Sequence, residues 1–427
     1  MMSIEYRSTF KPLSLDRRRR LLQLGGIGAT AFLPSLALAS DYGRSKGFPT
    51  GWGPPGQSAN PWGHADYIVG NFSGGIEKLF SHRIVKAPEK PSVFKSKPIP
   101  MKWGLFATFQ DYQKKYGKPA VLVGRSDTIA YENYEFERTP DMRFYSKSMA
   151  KSVLSLITGL AFEHGVLENL DDPVDKYDSR LKGKALGIVT IRQALNMSSG
   201  VDICHWLCGE RNDFDRWALH AFLGHPRNRG KNTDQDTAVI NWAHGFKNRP
   251  GTAFNYSEID PHLVSMAIRA STKTSIAEFA ERVLWAPIGA ESDAVWLTDS
   301  KGVEDVGASF LATLRDWGRL ALLVAQQGNI LGKQVIKQTW FDQCRTFLPT
   351  EGYLRKGRIS GYGGGYKFFF HHPTDNGSWL RFGGDLGQSI YADFKSGTVL
   401  VILSASNDGG GEYPRLFETS ISATSVI

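Results

Sequence analysis

Phe144-Tyr145-Ser146-Lys147-Ser148-Met149-Ala150-Lys151-Ser152-Val153-Leu154 places a serine and a lysine three residues apart at the head of a long apolar segment. Met149, Val153, Leu156, Ile157, Leu160 and Ala161 recur at helical spacing and Gly165 closes the pattern, which predicts a buried helix starting at Ser148. On that helix Ser148 and Lys151 share a face. A lysine among apolar residues can give up its proton and serve as base to a serine nucleophile, while the unpaired N–H groups of the first turn favour an alkoxide. The same S-x-x-K spacing occurs from Ser8 to Lys11, Ser92 to Lys95 and Ser179 to Lys182, in tails or loops. Helical context therefore selects Ser148, although the pair alone also fits an N-cap serine beside a solvated lysine.

Pro250-Gly251-Thr252-Ala253-Phe254-Asn255-Tyr256-Ser257-Glu258 reads as a turn, a short extended run and a polar cluster ahead of a helical pattern from Leu263 to Ala270. Beside Lys151, the Tyr256 phenol would favour its ionised form and could take the proton of Ser148 and pass it to a leaving group. The plain alternative is a tyrosine at the edge of the core, the commoner fate in a chain with 15 of them.

Ser148-Met149-Ala150-Lys151, Val189-Thr190-Ile191-Arg192-Gln193-Ala194-Leu195-Asn196-Met197-Ser198-Ser199-Gly200-Val201-Asp202, Pro250-Gly251-Thr252 with Tyr256-Ser257, and Gly383-Gly384 ahead of Gly387-Gln388-Ser389-Ile390-Tyr391 follow one another in an order that resembles the serine beta-lactamase-related hydrolases. That superfamily holds class C beta-lactamases, D-Ala-D-Ala peptidases, family VIII esterases and 6-aminohexanoate-oligomer hydrolases. Gly70-Asn71-Phe72-Ser73 through Ser81-His82-Arg83, with the strand start at Gly387-Gln388, is most similar to the last group. The resemblance implies Ser148 as acylated nucleophile, Lys151 as its base partner and Tyr256 as second proton-transfer residue. It also implies an oxyanion hole from the backbone N–H groups of Ser148 and Asp385, beside Gly383 and Gly384. Such donors are worth on the order of 3 kcal/mol of barrier each.

Two positions depart from the pattern. The family's Lys-Thr/Ser-Gly motif corresponds to Phe382-Gly383-Gly384, so the cation that ordinarily helps bind a beta-lactam carboxylate is absent, with Arg381 next door as a substitute on the other side of the strand. Glu258 stands where lactamase-type members carry asparagine; a carboxylate there could pair Lys151 and keep it charged, or cap a helix. Glu258, Arg381, Phe382 and Trp206 are the candidates for substrate contact.

The chain has 427 residues, 41% hydrophobic and 22% charged, an ordinary globular composition able to bury one large core or two cooperating ones. Its formal charge is +9. Residues 1–39 carry six basic side chains against Glu5 and Asp16, and the mild positive remainder gives no argument for nucleic acid. Arg17-Arg18-Arg19-Arg20-Leu21-Leu22, a modestly apolar run and Ala37-Leu38-Ala39 resemble a twin-arginine signal peptide. A periplasmic or secreted protein is expected, touching the membrane only during export; a retained anchor is disfavoured by Gly25, Gly26, Gly28 and Pro34. Cys204, Cys208 and Cys344 are the three cysteines, too few for a disulfide scaffold, and Cys204-His205-Trp206-Leu207-Cys208 lacks zinc-site spacing. No metal and no cofactor are expected. Zinc-protease, Walker and G-x-S-x-G motifs are absent from the sequence.

Residues 40–100 read as an extended wrap, and residues 101–427 as the catalytic domain with a mostly helical subdomain at approximately 160–330. A hairpin is expected around 124–127 and a capping box at Thr190 and Gln193. Amphipathic helices are expected at 276–285 and 308–327, strands at 366–370, 379–382, 389–394 and 399–403, and a closing helix at 413–420. The fold class is α+β: an antiparallel sheet flanked by helices, with the helical subdomain inserted, of beta-lactamase/transpeptidase type. Ser148 would lie at the junction, within a cleft shaped by aromatic residues such as Trp206 and Trp217. The implied activity is acyl-enzyme hydrolysis of a carboxylic ester or short linear amide. The alternatives are a beta-lactamase or D-Ala-D-Ala peptidase, and a non-catalytic binder of peptidoglycan fragments. For the leader, the expected mature amino terminus is Ser40, and lysine at Arg18 and Arg19 should strand precursor in the cytoplasm; amino-terminal sequencing of periplasmic material that returned Met1 would overturn this.

Overall fold

The structure, a computed structural model, describes residue 77 and residues 80–101, 108–203, 234–242, 244–356 and 364–427. Alternating apolar residues build its main sheet. In Ala120–Arg125 the side chains of Val121 and Val123 join one core and Leu122 the other, as the two-residue period of a strand buried on both faces requires. The eight strands run in the order Gly365–Lys367, Phe370–His372, Trp379–Gly383, Ser389–Asp393, Thr398–Leu403, Ala120–Arg125, Thr128–Tyr134 and Lys95–Ser96. All neighbours are antiparallel except the last pair, and the centre joins segments nearly 280 positions apart in the sequence, Leu400 facing Val123. The Phe109–Tyr116 and Tyr413–Ala423 helices cover one face with Phe109, Tyr112, Leu416 and Phe417. Met149–Glu163 and Leu314–Ala325 belong to the larger core on the other.

The expected α+β architecture is present, with the hairpin around residues 124–127, the capping box at Thr190 and Gln193, and the closing helix. The segment from Met149 to Glu163 is helical, every residue from Met149 to Ala161 is buried, and Gly165 follows with a φ of 66°. Three expectations need correction. Helix was expected through 308–327, but Phe310–Ala312 is a strand and the helix starts at Leu314 behind an N-cap at Thr313. That strand joins His82–Val85, Ala294–Leu297 and Phe144–Tyr145 in a second, four-stranded sheet, so the stretch at 160–330 is less uniformly helical than its periodicity implied. The third correction is that residues 366–370 form a tight hairpin instead of one strand, with Phe368 and Phe369 at φ of 47° and 62°.

Bulky residues are disfavoured in that left-handed pair, and no glycine announces the turn. Tertiary contacts compensate. Phe369 N–H donates to the Leu195 carbonyl at 3.1 Å, Ser152 Oγ donates to the Phe369 carbonyl at 2.6 Å, and Trp340 stacks on Phe368 with centroids 5.3 Å apart. The hairpin tip is thereby fastened to the helix that follows Ser148, one residue beyond Lys151.

Leu314–Ala325 is anchored by a buried charge cluster. Arg319, fully buried, donates to Asp316 at 3.1 Å and Glu291 at 2.6 Å and lies 4.4 Å from the centroid of Phe94. Asp316 also accepts the Glu291 and Ser292 amides at 2.8 and 3.1 Å. Removing one partner strands the other charge in the core, so Arg319→Ala should lower stability by about 3–5 kcal/mol. Urea unfolding followed by tryptophan fluorescence checks this, and a loss below about 1 kcal/mol would show that the cluster is solvated.

Candidate active site

The segment leading to Ser148 is bolted down before its helix begins. Ser146 donates its amide to the Phe310 carbonyl at 2.9 Å, its hydroxyl donates to the Ala308 carbonyl at 3.1 Å, and the same oxygen accepts Phe310 N–H at 3.0 Å. Lys147 then adopts a φ of 47°, a strained conformation for a lysine that reverses the chain immediately before Ser148. Ser148 is half-buried at the N-cap position but makes no side-chain cap, so its hydroxyl is not committed to the helix backbone. Lys147 was not singled out from sequence, where nothing marks a positive φ at a lysine.

Lys151 Nζ donates to Ser148 Oγ at 3.2 Å, to the Gly307 carbonyl at 2.7 Å and to Glu258, whose two oxygens lie 2.9 and 2.8 Å away. Both charged partners are buried. The Tyr256 ring centroid is 4.8 Å from Nζ, and its phenol hydrogen-bonds with Ser148 and Lys151. Serine, lysine and tyrosine therefore meet as the motifs predicted, and Glu258 resolves its alternatives: it pairs Lys151 and makes no side-chain cap to its own helix, Ile259–Thr272.

Of the two readings of Lys151 the charged one holds, and Tyr256 departs from its expected ionised form. Burial pushes the Lys151 pKa down, but Glu258 and the Tyr256 oxygen outweigh it and hold the ammonium above its ordinary range. Lys151 thus rests charged instead of neutral. Burial raises the Tyr256 phenol despite the lysine's charge, so it rests protonated instead of ionised. The apolar surroundings that would neutralise a lone lysine are overridden by a carboxylate in contact.

The Asp305–Ser309 loop presents the Gly307 carbonyl. Asp305 accepts Gly307 N–H at 3.3 Å and Ser309 O–H at 2.5 Å, with His262 Nε2 3.8 Å away. A Cβ on Gly307 would stand 2.2 Å from Glu258 Oε2, so only glycine leaves room for the pair. This loop was missed from sequence because it reaches the site only through the second sheet. Below Tyr256, Asp260 accepts the Ser199 amide at 3.2 Å and its hydroxyl at 2.9 Å, joining two of the motif segments, and burial pushes its carboxyl up to about 7.

At the third motif, Gly383 ends the Trp379–Gly383 strand. A Cβ there would meet Arg381 Nη1 and His371 Nε2, each at 2.6 Å, and one on Gly384 would stand 2.7 Å from the Ser146 carbonyl. At Gly383 those side-chain ends could give way, whereas at Gly384, with φ of −134°, the backbone carbonyl makes glycine a requirement of space alone. Among the described residues, the amides of Ser148 and Asp385 have no backbone acceptor, as an oxyanion hole requires. Arg381 donates to Ser389 Oγ at 2.7 Å on the Gly383 side of the strand. Phe382, a candidate for substrate contact, turns the other way: it is fully buried and packs edge-on against Phe370. That assignment is corrected by strand alternation. Trp206, Trp217, Cys204, Cys208 and the leader lie outside the described residues, and Cys344 is buried.

The beta-lactamase family matches residues 105–423. The chain belongs to that family. A curated relative, the 6-aminohexanoate-dimer hydrolase of Paenarthrobacter ureafaciens, is 24% identical over 294 residues, covering 68% of this chain and 73% of its own. A Bacillus anthracis protein assigned as a 6-aminohexanoate-dimer hydrolase shares the fold at TM-score 0.74 and 21% identity, over 84% of this chain and 95% of its own. A family VIII carboxylesterase shares it at TM-score 0.57 and 16% identity, over 74% and 94%. This member of the beta-lactamase family is a serine hydrolase.

The site's geometry makes Gly307 a test of the Lys151 environment. Gly307→Ala should part Glu258 from Lys151 and lower kcat by about 100-fold while leaving KM within a small factor. Steady-state kinetics on a p-nitrophenyl ester checks it, and unchanged kcat would mean that the pair tolerates separation.

Proposed function

We propose that this protein cleaves a carboxylic ester or short linear amide through an acyl-enzyme at Ser148. The contact that carries the reading is Ser148 Oγ at 3.2 Å from Lys151 Nζ, under a tyrosine bonded to both. Ser148 Oγ attacks the carbonyl carbon, the Ser148 and Asp385 amides receive the oxyanion, Tyr256 protonates the leaving group, and water releases the acyl group by the same path in reverse. The linear-amide half of the proposal is supported by the 6-aminohexanoate-dimer hydrolase relative, and the ester half by the carboxylesterase neighbour. Twin-arginine export to the periplasm belongs to the proposal and is supported by the leader's composition.

A beta-lactamase activity is the second reading, and one observation favours it: Arg381 brings a cation to Gly383 from the position beside Phe382. The guanidinium is already engaged by Ser389 Oγ through two nitrogens, at 3.1 and 2.7 Å, which weighs against its capture of a substrate carboxylate.

Intact mass after treatment with a fluorophosphonate and then with penicillin tests both readings. The expected outcome is one fluorophosphonate adduct on Ser148 and little penicillin adduct. Ser148→Ala should abolish ester turnover in a folded protein, and Lys151→Ala and Tyr256→Phe should each lower kcat by about 100-fold or more. Full ester turnover by Ser148→Ala would end the mechanism. Nitrocefin hydrolysis at a kcat/KM matching that for p-nitrophenyl esters, lost in Arg381→Met, would put the lactamase reading first.

A further inference from the structure

Ser148 must lose a proton to attack, yet its two proton-exchanging neighbours both rest protonated. Glu258 is the buried carboxylate in contact with Lys151. Its oxygens lie 2.9 and 2.8 Å from Lys151 Nζ. The other carboxylates nearby are already engaged, Asp305 accepting from Gly307 and Ser309 and Asp260 from Ser199, and neither accepts from Lys151.

We propose that Glu258 is the proton store of acylation, a positioning residue that acts on Ser148 through Lys151. The inference rests on the acyl-enzyme reading above. When substrate excludes water, a charged pair loses solvation that a neutral pair does not need, so a proton moves from Lys151 Nζ to Glu258 and leaves amine and carboxylic acid. The amine takes the Ser148 proton as the Oγ–carbonyl carbon bond forms. Tyr256 gives its proton to the departing alkoxide or amine as that bond breaks, and regains one from Lys151. The acyl-enzyme then holds a neutral lysine and a protonated Glu258. In deacylation the amine accepts a proton from water by way of Tyr256, Lys151 returns it to Ser148 Oγ, and Glu258 gives its stored proton back to Lys151. Protons balance over the cycle, and no oxidant or metal takes part.

The titratable groups facing the pair are Tyr256 on the same loop, Asp260 in the helix that follows, Tyr145 and Lys147 before Ser148, Asp305 with His262 behind it, and Tyr366 and His371 on the hairpin. Arg381 lies beyond His371. Of these, Tyr256 shares with Glu258 a side-chain hydrogen bond to Lys151.

The test is the pH dependence of kcat/KM for p-nitrophenyl butyrate and of the fluorophosphonate labelling rate, in wild type, Glu258→Gln and Glu258→Asp, with thermal melts to verify folding. In wild type the working state has the same proton count as the resting state, so the plateau should extend to lower pH than in Glu258→Gln. In Glu258→Gln a neutral amine requires net loss of a proton. The acidic limb should move up by at least about 1 pH unit, with labelling at pH 6 falling more than about tenfold and recovering at alkaline pH. Glu258→Asp should keep the wild-type limb at a lower plateau, and it supplies the readout if the glutamine variant does not fold. A Glu258→Gln profile with wild-type shape at any height, or a limb displaced in Glu258→Asp, overturns the proposal. Failure of wild-type Ser148 to label overturns the acyl-enzyme reading itself, whereas normal labelling with an unmoved limb removes only the role of Glu258.

Discussion

An ammonium taken out of water needs a carboxylate in contact or it surrenders its proton, and much of this site is arranged around that requirement at Lys151. The lysine is 1% exposed, and a bidentate contact with Glu258 keeps it charged. Every element that meets there answers to the pair. The Asp305–Ser309 loop adds a carbonyl and contributes a glycine because a side chain would occupy the space of Glu258 Oε2. Tyr256 takes its place over the ammonium and keeps its own proton.

The scaffold holds this arrangement through connections that are long in sequence and short in space. Ser146 ties the segment before Ser148 to the second sheet, Ser152 ties the following turn to the 366–370 hairpin, and Gly384 lets the end of the Trp379–Gly383 strand lie against the Ser146 carbonyl. Backbone strain is found where these ties converge, among other places: at Lys147 before Ser148, and at Phe368 and Phe369 at the hairpin tip. Each lies outside the conformations its residue type prefers and is held by hydrogen bonds or packing on more than one side.

The third motif shows how one position of strand alternation separates a core side chain from one facing Gly383. A cation at 382 would extend to the opposite side of the strand from Arg381; phenylalanine there instead fills the core against Phe370, and the cation stands at 381 with Ser389 as its partner. The charge that stands on the Gly383 side of the strand is thus that of Arg381, partly satisfied within the protein by Ser389.

Much of the fold was legible in the sequence because its signals are local. Apolar period fixes the Met149–Glu163 helix, Thr190 and Gln193 announce a capping box, and alternating strands flank recognisable turns. The identities of Ser148, Lys151 and Tyr256 follow from motif order. Other features depended on partners distant in the chain. The strand at Phe310–Ala312 lies inside a helical periodicity and is drawn out by pairing with Ala294–Leu297 and Phe144–Tyr145. The Phe368–Phe369 turn has no turn residue and is imposed by burial. The protonation of Lys151 stays open in the sequence for the same reason: residue type and apolar context set the cost of burying its charge and Glu258 is one possible partner, but only the tertiary structure brings Glu258, 107 positions away, to within 3 Å and decides the balance.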